Sequence, residues 1–232
     1  MEIKRGVFYG VGVGPGEPEL MTLKALRVME QCPVLACPQT KSGEMLALDI
    51  VRQVMDVSEK VILPLHFTMS RDAAVLEAAH EKAADEVCRF LERGQDVAMP
   101  NLGDVSIYST FSYLMKPVQK RGFETRMVAG VPSFCAVAAK LGISLTERDA
   151  LLHIVPGNAC LEEALRLPGN KILMKAGSQM PDVLQAVAEY AALDKSAMIQ
   201  NCGLPEERIF PNLAETSPEE SVGYFTTIIV KE

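Results

Sequence analysis

No stretch of the 232-residue chain approaches the ~18 consecutive apolar residues that read as a membrane span. No apolar segment of the signal-peptide kind follows the opening Glu2, Lys4, Arg5 and Gly6, so the expectation is a cytoplasmic protein without membrane partners. Positive charge is short as well: 23 Lys and Arg stand against 30 Asp and Glu, a net charge of −7. Nucleic acid, which demands a basic face, is therefore not expected as a partner. The six cysteines (Cys32, Cys37, Cys88, Cys135, Cys160 and Cys202) contain no C-x-x-C and do not pair with the three histidines. That scatter argues against zinc and disulfides and for reduced, mostly buried thiols. The histidines offer no catalytic constellation either. His80 lies in a long helical stretch and is expected in solvent, His153 reads as a satisfied core residue, and His66 falls in a loop.

What is present begins with 48% hydrophobic residues, enough for a real core in one large domain or two small ones. The organising stretch is Tyr9-Gly10-Val11-Gly12-Val13-Gly14-Pro15-Gly16-Glu17, after the apolar run Val7-Phe8-Tyr9 and before a helical pattern beginning near Leu20. Alternating glycines at a strand end bring backbone close to something. The dinucleotide fingerprint G-x-G-x-x-G fails here: counted from Gly10 its third glycine is Pro15, and from Gly12 it is Glu17. The acidic residue expected ~20 positions on is missing, and the loop lacks the Lys-Ser/Thr ending of a P-loop.

Strand-like and helical segments then alternate. Val34–Cys37, Lys60–Leu63 (ended by Pro64), Asp96–Met99 and Glu124–Val128 read as strands, and Met45–Met55, Asp72–Arg93 and Ile107–Lys120 as helices, with Ser70 a plausible N-cap. This alternation indicates a largely parallel sheet. The rhythm changes after Gly130. Helix is expected over Ser133–Leu141, Leu161–Leu167 and from Pro181 to about Tyr190, and strand over Leu151–Val155, Lys171–Lys175, Ala197–Gln200, Arg208–Phe210 and Tyr224–Val230, in an antiparallel or mixed sheet. The expected architecture is thus two α/β domains, residues 1–128 and 129–232, with the boundary near Val128–Val131.

Two further loops, Ala98-Met99-Pro100-Asn101-Leu102-Gly103-Asp104-Val105-Ser106-Ile107-Tyr108-Ser109-Thr110 and Val128-Ala129-Gly130-Val131-Pro132-Ser133-Phe134, follow the glycine loop. In this order and spacing the three resemble the tetrapyrrole methylase family over nearly the whole chain. The Gly-Asp-Val-Ser-Ile-Tyr-Ser-Thr version resembles the branch that methylates carbon 20 of precorrin-2, and departs from the Asp-Pro of many members at Val105. The resemblance implies a non-Rossmann fold with S-adenosyl-L-methionine in a cleft between two domains, a tetrapyrrole acceptor and a homodimer. It also implies cofactor-facing roles for Val13, Pro15, Gly103, Asp104, Ile107, Ser133, Phe134, Met174, Ala176, Gly203 and Thr226. Read from residues alone, Asp104 either accepts from a ligand or bonds its own turn, and Ser133 caps a helix or touches the cofactor. Tyr108 is either the catalytic candidate, donating a hydrogen bond to substrate or taking part in proton removal, or a buried structural tyrosine. Met174, Gly203 and Thr226 would by themselves be a core methionine, a turn glycine and a strand threonine. Since the acceptor carries many carboxylates and the protein is acidic, Lys41 and Arg71 are the candidate contacts for them. The rival readings are another acceptor on the same fold, a nucleotide-dependent oxidoreductase, and a non-catalytic tetrapyrrole carrier.

Overall fold

The computed structural model describes residues 5–68, 70, 72–157, 159–177, 180–215 and 222–232. The chain divides into two compact units, Met1–Pro132 and Ser133–Glu232.

The first unit holds strands β1 (Val7–Gly12), β2 (Val34–Gln39), β3 (Val61–His66), β4 (Val97–Asn101) and β5 (Glu124–Val128), interleaved with helices α1 (Leu23–Gln31), α2 (Leu46–Val51), α3 (Ala73–Leu91) and α4 (Phe111–Lys120). Their order across the sheet is β3-β2-β4-β1-β5, and every pairing is parallel. The second unit comprises α5 (Ser133–Leu141), β6 (Leu152–Pro156), α6 (Leu161–Arg166), β7 (Asn170–Met174), α7 (Met180–Tyr190), β8 (Ser196–Gln200), β9 (Arg208–Phe210) and β10 (Thr226–Val230). Its sheet is mixed, in the order β6-β7-β10-β8-β9: β6 and β7 are parallel, and β10 and β9 run antiparallel to their neighbours.

Several expected boundaries move, each for a local reason. Pro64 does not end β3, which continues to His66; β3 is an edge strand, where proline's missing N–H leaves no ladder partner unmet. Residues near Leu20 form a short 3₁₀ turn, and α1 begins at Leu23 because Thr22 caps it, accepting from Ala25 N at 3.1 Å. Asp72, not Ser70, caps α3, accepting from Ala74 N at 2.8 Å and Val75 N at 3.3 Å. Helix α4 starts at Phe111 rather than Ile107 because Tyr108 has φ +47, outside right-handed helix geometry. Strand β10 begins at Thr226, which leaves Tyr224 and Phe225 outside it.

The first core gathers Phe8, Leu65, Leu91, Met99, Phe111 and Leu114, all fully buried. The rings of Phe8 and Phe111 lie 5.0 Å apart. Four cysteines are buried, and desolvation pushes the thiols of Cys32 and Cys37 up to about 12 and that of Cys88 to about 11. Cys135 and Cys160 are exposed, so the thiols are mostly, not all, buried. His80 is half-buried, stacked on Tyr113 at 4.8 Å, rather than in open solvent. His153 is satisfied as expected, its Nε2 lying 2.9 Å from the Pro168 carbonyl, but it is half-buried rather than a core residue. Among the described residues no helix is long and apolar enough to cross a membrane.

Gly10 lies directly beneath the Phe111 ring of α4. A Cβ there would lie 2.5 Å from the Phe111 ring. Gly10→Ala is expected to destabilise the first unit by about 1–3 kcal/mol through overpacking. Phe111→Leu made in the same chain should return part of that loss, so the two changes couple in a double-mutant cycle read by urea denaturation. Strictly additive losses would reject this account.

Candidate functional site

The carboxyl ends of β4, β1 and β5 stand side by side, and their loops touch through glycine backbone. A Cβ on Gly12 would sit 2.7 Å from both the Gly103 carbonyl oxygen and the Gly130 nitrogen, and one on Gly130 would strike the same Gly103 oxygen. Gly14 and Gly103 form an isolated antiparallel bridge, with Gly103 N donating to Gly14 O at 2.8 Å. Val13 N donates to Asn101 O at 2.9 Å, and the Thr22 hydroxyl to Ala129 O at 3.4 Å. These glycines are therefore required for contact between the loops themselves, not only for approach to a ligand.

Asp104 fastens this junction. Its Oδ2 accepts from Gly130 N at 2.8 Å, tying the loop after β4 to the loop after β5, while Oδ1 accepts from Ser106 N at 2.8 Å and from the Ser106 hydroxyl. Both carboxylate oxygens are thus engaged inside the protein, the turn-aspartate alternative extended to a second loop. Burial alone would raise its pKa; the hydrogen bonds from Ser106 and Gly130 outweigh that and hold the carboxyl below its ordinary range. Val13 and Pro15 are buried, and Ile107 is half-buried. Tyr108 is 45% exposed and in the left-handed region, so the buried structural alternative does not describe it. Asn101 links the strand to the loop: its Nδ2 donates to Met99 O at 2.7 Å, and its Oδ1 accepts from the Ser109 hydroxyl at 2.9 Å.

On the other side of β4 the ladder is short. Strands β2 and β4 pair only at Val34–Val97 and Leu35–Ala98. Beyond that point β2 carries Pro38 and β4 carries Pro100, each paired only with its outer neighbour. Neither proline can donate a ladder bond, so the β2–β4 ladder ends after Leu35–Ala98. The chain leaves β2 towards β3 at one edge and leaves β4 towards β5 at the other, which makes the β2–β4 junction the switch point of the sheet. Such points are where open α/β sheets form ligand crevices. Lys41 is exposed in the loop directly after β2; Arg71 lies outside the described residues.

In the second unit, the ends of β6, β7 and β8 and the start of β10 share one sheet edge. Met174, Ala176, Gly203 and Thr226 all fall there. Ala176 and Thr226 are buried and Met174 is half-buried. The Thr226 hydroxyl donates to Gly223 O at 2.6 Å, and Gly203 N to Glu207 Oε2 at 2.7 Å. Ser133 begins α5 with its hydroxyl 3.1 Å from that of Thr227, beside the buried Phe134. Gln200, missed in the sequence, stands at the same edge. Its Oε1 is buried with no hydrogen-bond partner among the described residues, an acceptor that a ligand donor would satisfy. A polar residue closing the apolar run Ala197-Met198-Ile199 was the available signal.

A parallel α/β unit with backbone loops joined at its strand ends, followed by a mixed α/β unit and lacking the dinucleotide fingerprint, defines a class of two-unit α/β proteins outside the Rossmann type. The chain belongs to the family Tetrapyrrole (Corrin/Porphyrin) Methylases, whose description matches residues 7–217. It is 31% identical to the cobalt-precorrin-2 C(20)-methyltransferase of Salmonella typhimurium over 98% of this chain and 97% of that protein. It is 34% identical to a probable cobalt-precorrin-2 C(20)-methyltransferase of Methanocaldococcus jannaschii, over 96% and 95%. Among solved structures, a uroporphyrin-III C-methyl transferase from Thermus thermophilus complexed with S-adenyl homocysteine matches with a TM-score of 0.73 at 18% identity, over 98% of this chain and 92% of that one. A cobalt precorrin-4 methyltransferase matches at 0.72 and 18%, over 97% and 94%. At these identities the structural likeness shows the fold.

The Asp104 bond generates a prediction with a definite sign. A carboxyl held below its ordinary value of 3.8 contributes stability above that value and loses it as the pH falls through the lower folded value. The gap in urea midpoint between wild type and Asp104→Asn should therefore be widest near neutrality and narrow in acid. Asp104→Ala should also speed hydrogen exchange at the Gly130 amide by at least ~10-fold. Unchanged exchange there would show that the loop junction holds without this carboxylate.

Proposed function

We propose that this protein transfers a methyl group from S-adenosyl-L-methionine to carbon 20 of precorrin-2 or cobalt-precorrin-2, within cobalamin biosynthesis. The observation that carries the reading is 31–34% identity, over nearly the full length, to relatives bearing that name. The cofactor supplies a methyl on a sulfonium sulfur, which a carbon nucleophile receives by in-line displacement with positioning as the main demand. The second unit suits cofactor binding, since Gln200 Oε1 offers an unmet acceptor and Met174, Ala176, Gly203 and Thr226 share its sheet edge. Ser133 and Phe134 complete the candidates of this half. In the first unit Val13, Pro15, Gly103, Asp104 and Ile107 belong to loops that hold one another in place, as positioning requires. In this reading the loops of residues 1–128 near the β2–β4 switch point receive the tetrapyrrole, and residues 129–232 complete the cofactor site and can add contacts to the acceptor. Lys41 and Arg71 meet the acceptor's carboxylates, and Tyr108, exposed on its constrained turn, contacts the reacting ring.

The test supplies S-adenosylmethionine with enzymatically made precorrin-2, or with its cobalt complex, and reads the product by mass spectrometry. One added methyl, located at carbon 20 by NMR, is the expected result, and the preferred acceptor identifies the cobalt requirement. A methyl on another carbon would install the same-fold rival, and no transfer to either acceptor would reject the reading. In the same assay, losing both Lys41 and Arg71 to alanine should raise KM for the acceptor about 10-fold, ~1.4 kcal/mol, without changing cofactor affinity.

The protein is also proposed to act in the cytoplasm as a two-fold homodimer, the commonest symmetric assembly. Sedimentation at micromolar concentration should give about twice the chain mass of 25.3 kDa. The mass of a single chain would overturn it.

A further inference from the structure

Tyr224 and Phe225 are two consecutive large aromatic residues, 47% and 42% exposed, on backbone that is tightly held. The Phe225 carbonyl accepts from Asn201 N at 2.8 Å, the Thr226 carbonyl accepts from Lys175 N at 3.2 Å, and the Thr226 hydroxyl donates to Gly223 O at 2.6 Å. Their rings meet edge to face, with centroids 5.3 Å apart and planes at 80°. Lys175, at φ +60, places its Nζ 5.6 Å from the centre of the Tyr224 ring. Aromatic rings of this size bury roughly 150–250 Å² when covered, so leaving an ordered pair in water forgoes a large apolar contact.

Location, ring chemistry and charge together narrow the occupant. The pair lies at the sheet edge that carries Met174, Ala176, Gln200, Gly203 and Thr226, not on an outer helical face. Rings presented with a neighbouring ammonium suit a ligand that is both flat and anionic. In a chain of net charge −7, a cation held at that place is local complementarity that the overall charge does not provide. We propose that Tyr224, Phe225 and Lys175 form a contact surface for the acceptor macrocycle, with the rings against its conjugated pyrrole system and the ammonium beside a peripheral carboxylate. The identity of the acceptor rests on the methyltransferase reading above; the surface itself can be tested separately.

The probe is a fluorescent octacarboxylate porphyrin titrated into the full-length protein and followed by anisotropy. Tyr224→Ala with Phe225→Ala should weaken its binding about 10-fold or more, and Tyr224→Leu with Phe225→Leu, which keeps apolar area without the rings, should lie between. Lys175→Gln should weaken it about 5-fold in low salt, an effect that fades as salt screens the charge. S-adenosylhomocysteine affinity, measured by calorimetry, should stay within about 2-fold in every variant, since the surface is assigned to the acceptor. The inference is overturned if wild type does not bind the porphyrin, or if the aromatic variants bind it equally well. Loss of S-adenosylhomocysteine affinity instead would assign the rings to the cofactor, and conversion to single chains in sedimentation would assign them to a second copy; either also overturns it. Methyl transfer is scored separately. A wild type that binds the porphyrin but transfers no methyl to either acceptor retains the surface and loses the methyltransferase reading.

Discussion

The contact among Gly12, Gly103 and Gly130 is the constraint on which the first unit's functional edge depends. Three parallel strands normally end about 4.8 Å apart, and side chains at their tips keep the following loops separate. Here the tips of β4, β1 and β5 carry no Cβ where they meet, so backbone packs on backbone. The Asp104 carboxylate then converts proximity into a fixed arrangement by accepting the Gly130 amide. The Gly14–Gly103 bridge and the turn holding Val105 to Tyr108 adjoin that junction.

The ladder of β4 is long towards β1 and short towards β2, and the difference follows residue type. Towards β1, glycine permits contact closer than any other residue would. Towards β2, Pro38 and Pro100 remove the donors that would have continued the ladder. Asn101 supplies the Met99 carbonyl with a donor from within its own strand. The short ladder on that flank coincides with the switch point of the strand order, where the loops after β2 and β4 run in opposite directions.

Most of this architecture was legible in the sequence, because period-2 and helical apolar patterns respond to burial that every strand and helix shares. The parallel first sheet, the mixed second sheet and the three loops could all be read. What could not be read depended on neighbours distant in the chain. Pro64 looks like a strand terminator until β3 is known to be an edge, and Ser70 and Asp72 are equally good caps by type. Tyr108 gives no sign of its positive φ, and Tyr224-Phe225 reads as strand because aromatic residues favour strands. The glycines were recognised as functional, yet the atoms that a missing Cβ would have struck belong to other loops, which spacing alone does not reveal. Gln200 escaped because an orphaned acceptor is defined by the absence of partners in space.

The two units handle their polar groups in opposite ways, and this bears on where ligand binding gains free energy. In the first unit the Asp104 carboxylate is already bonded through both oxygens, and Asn101 is engaged at both ends of its amide. A ligand there would have to compete with bonds the protein already makes, so the junction positions without needing to bind. The second unit's edge is the reverse case, with Gln200 Oε1 buried and unmet and two aromatic rings uncovered. A buried acceptor without a partner has lost its water without compensation, typically at a cost of ~1–3 kcal/mol, which a correctly placed donor returns. A group left unsatisfied in the free protein therefore contributes more to affinity than an equally polar group that is already paired. The polar groups at the first unit's junction are therefore already bonded within the protein, whereas the second unit's edge keeps exposed aromatic rings at Tyr224 and Phe225.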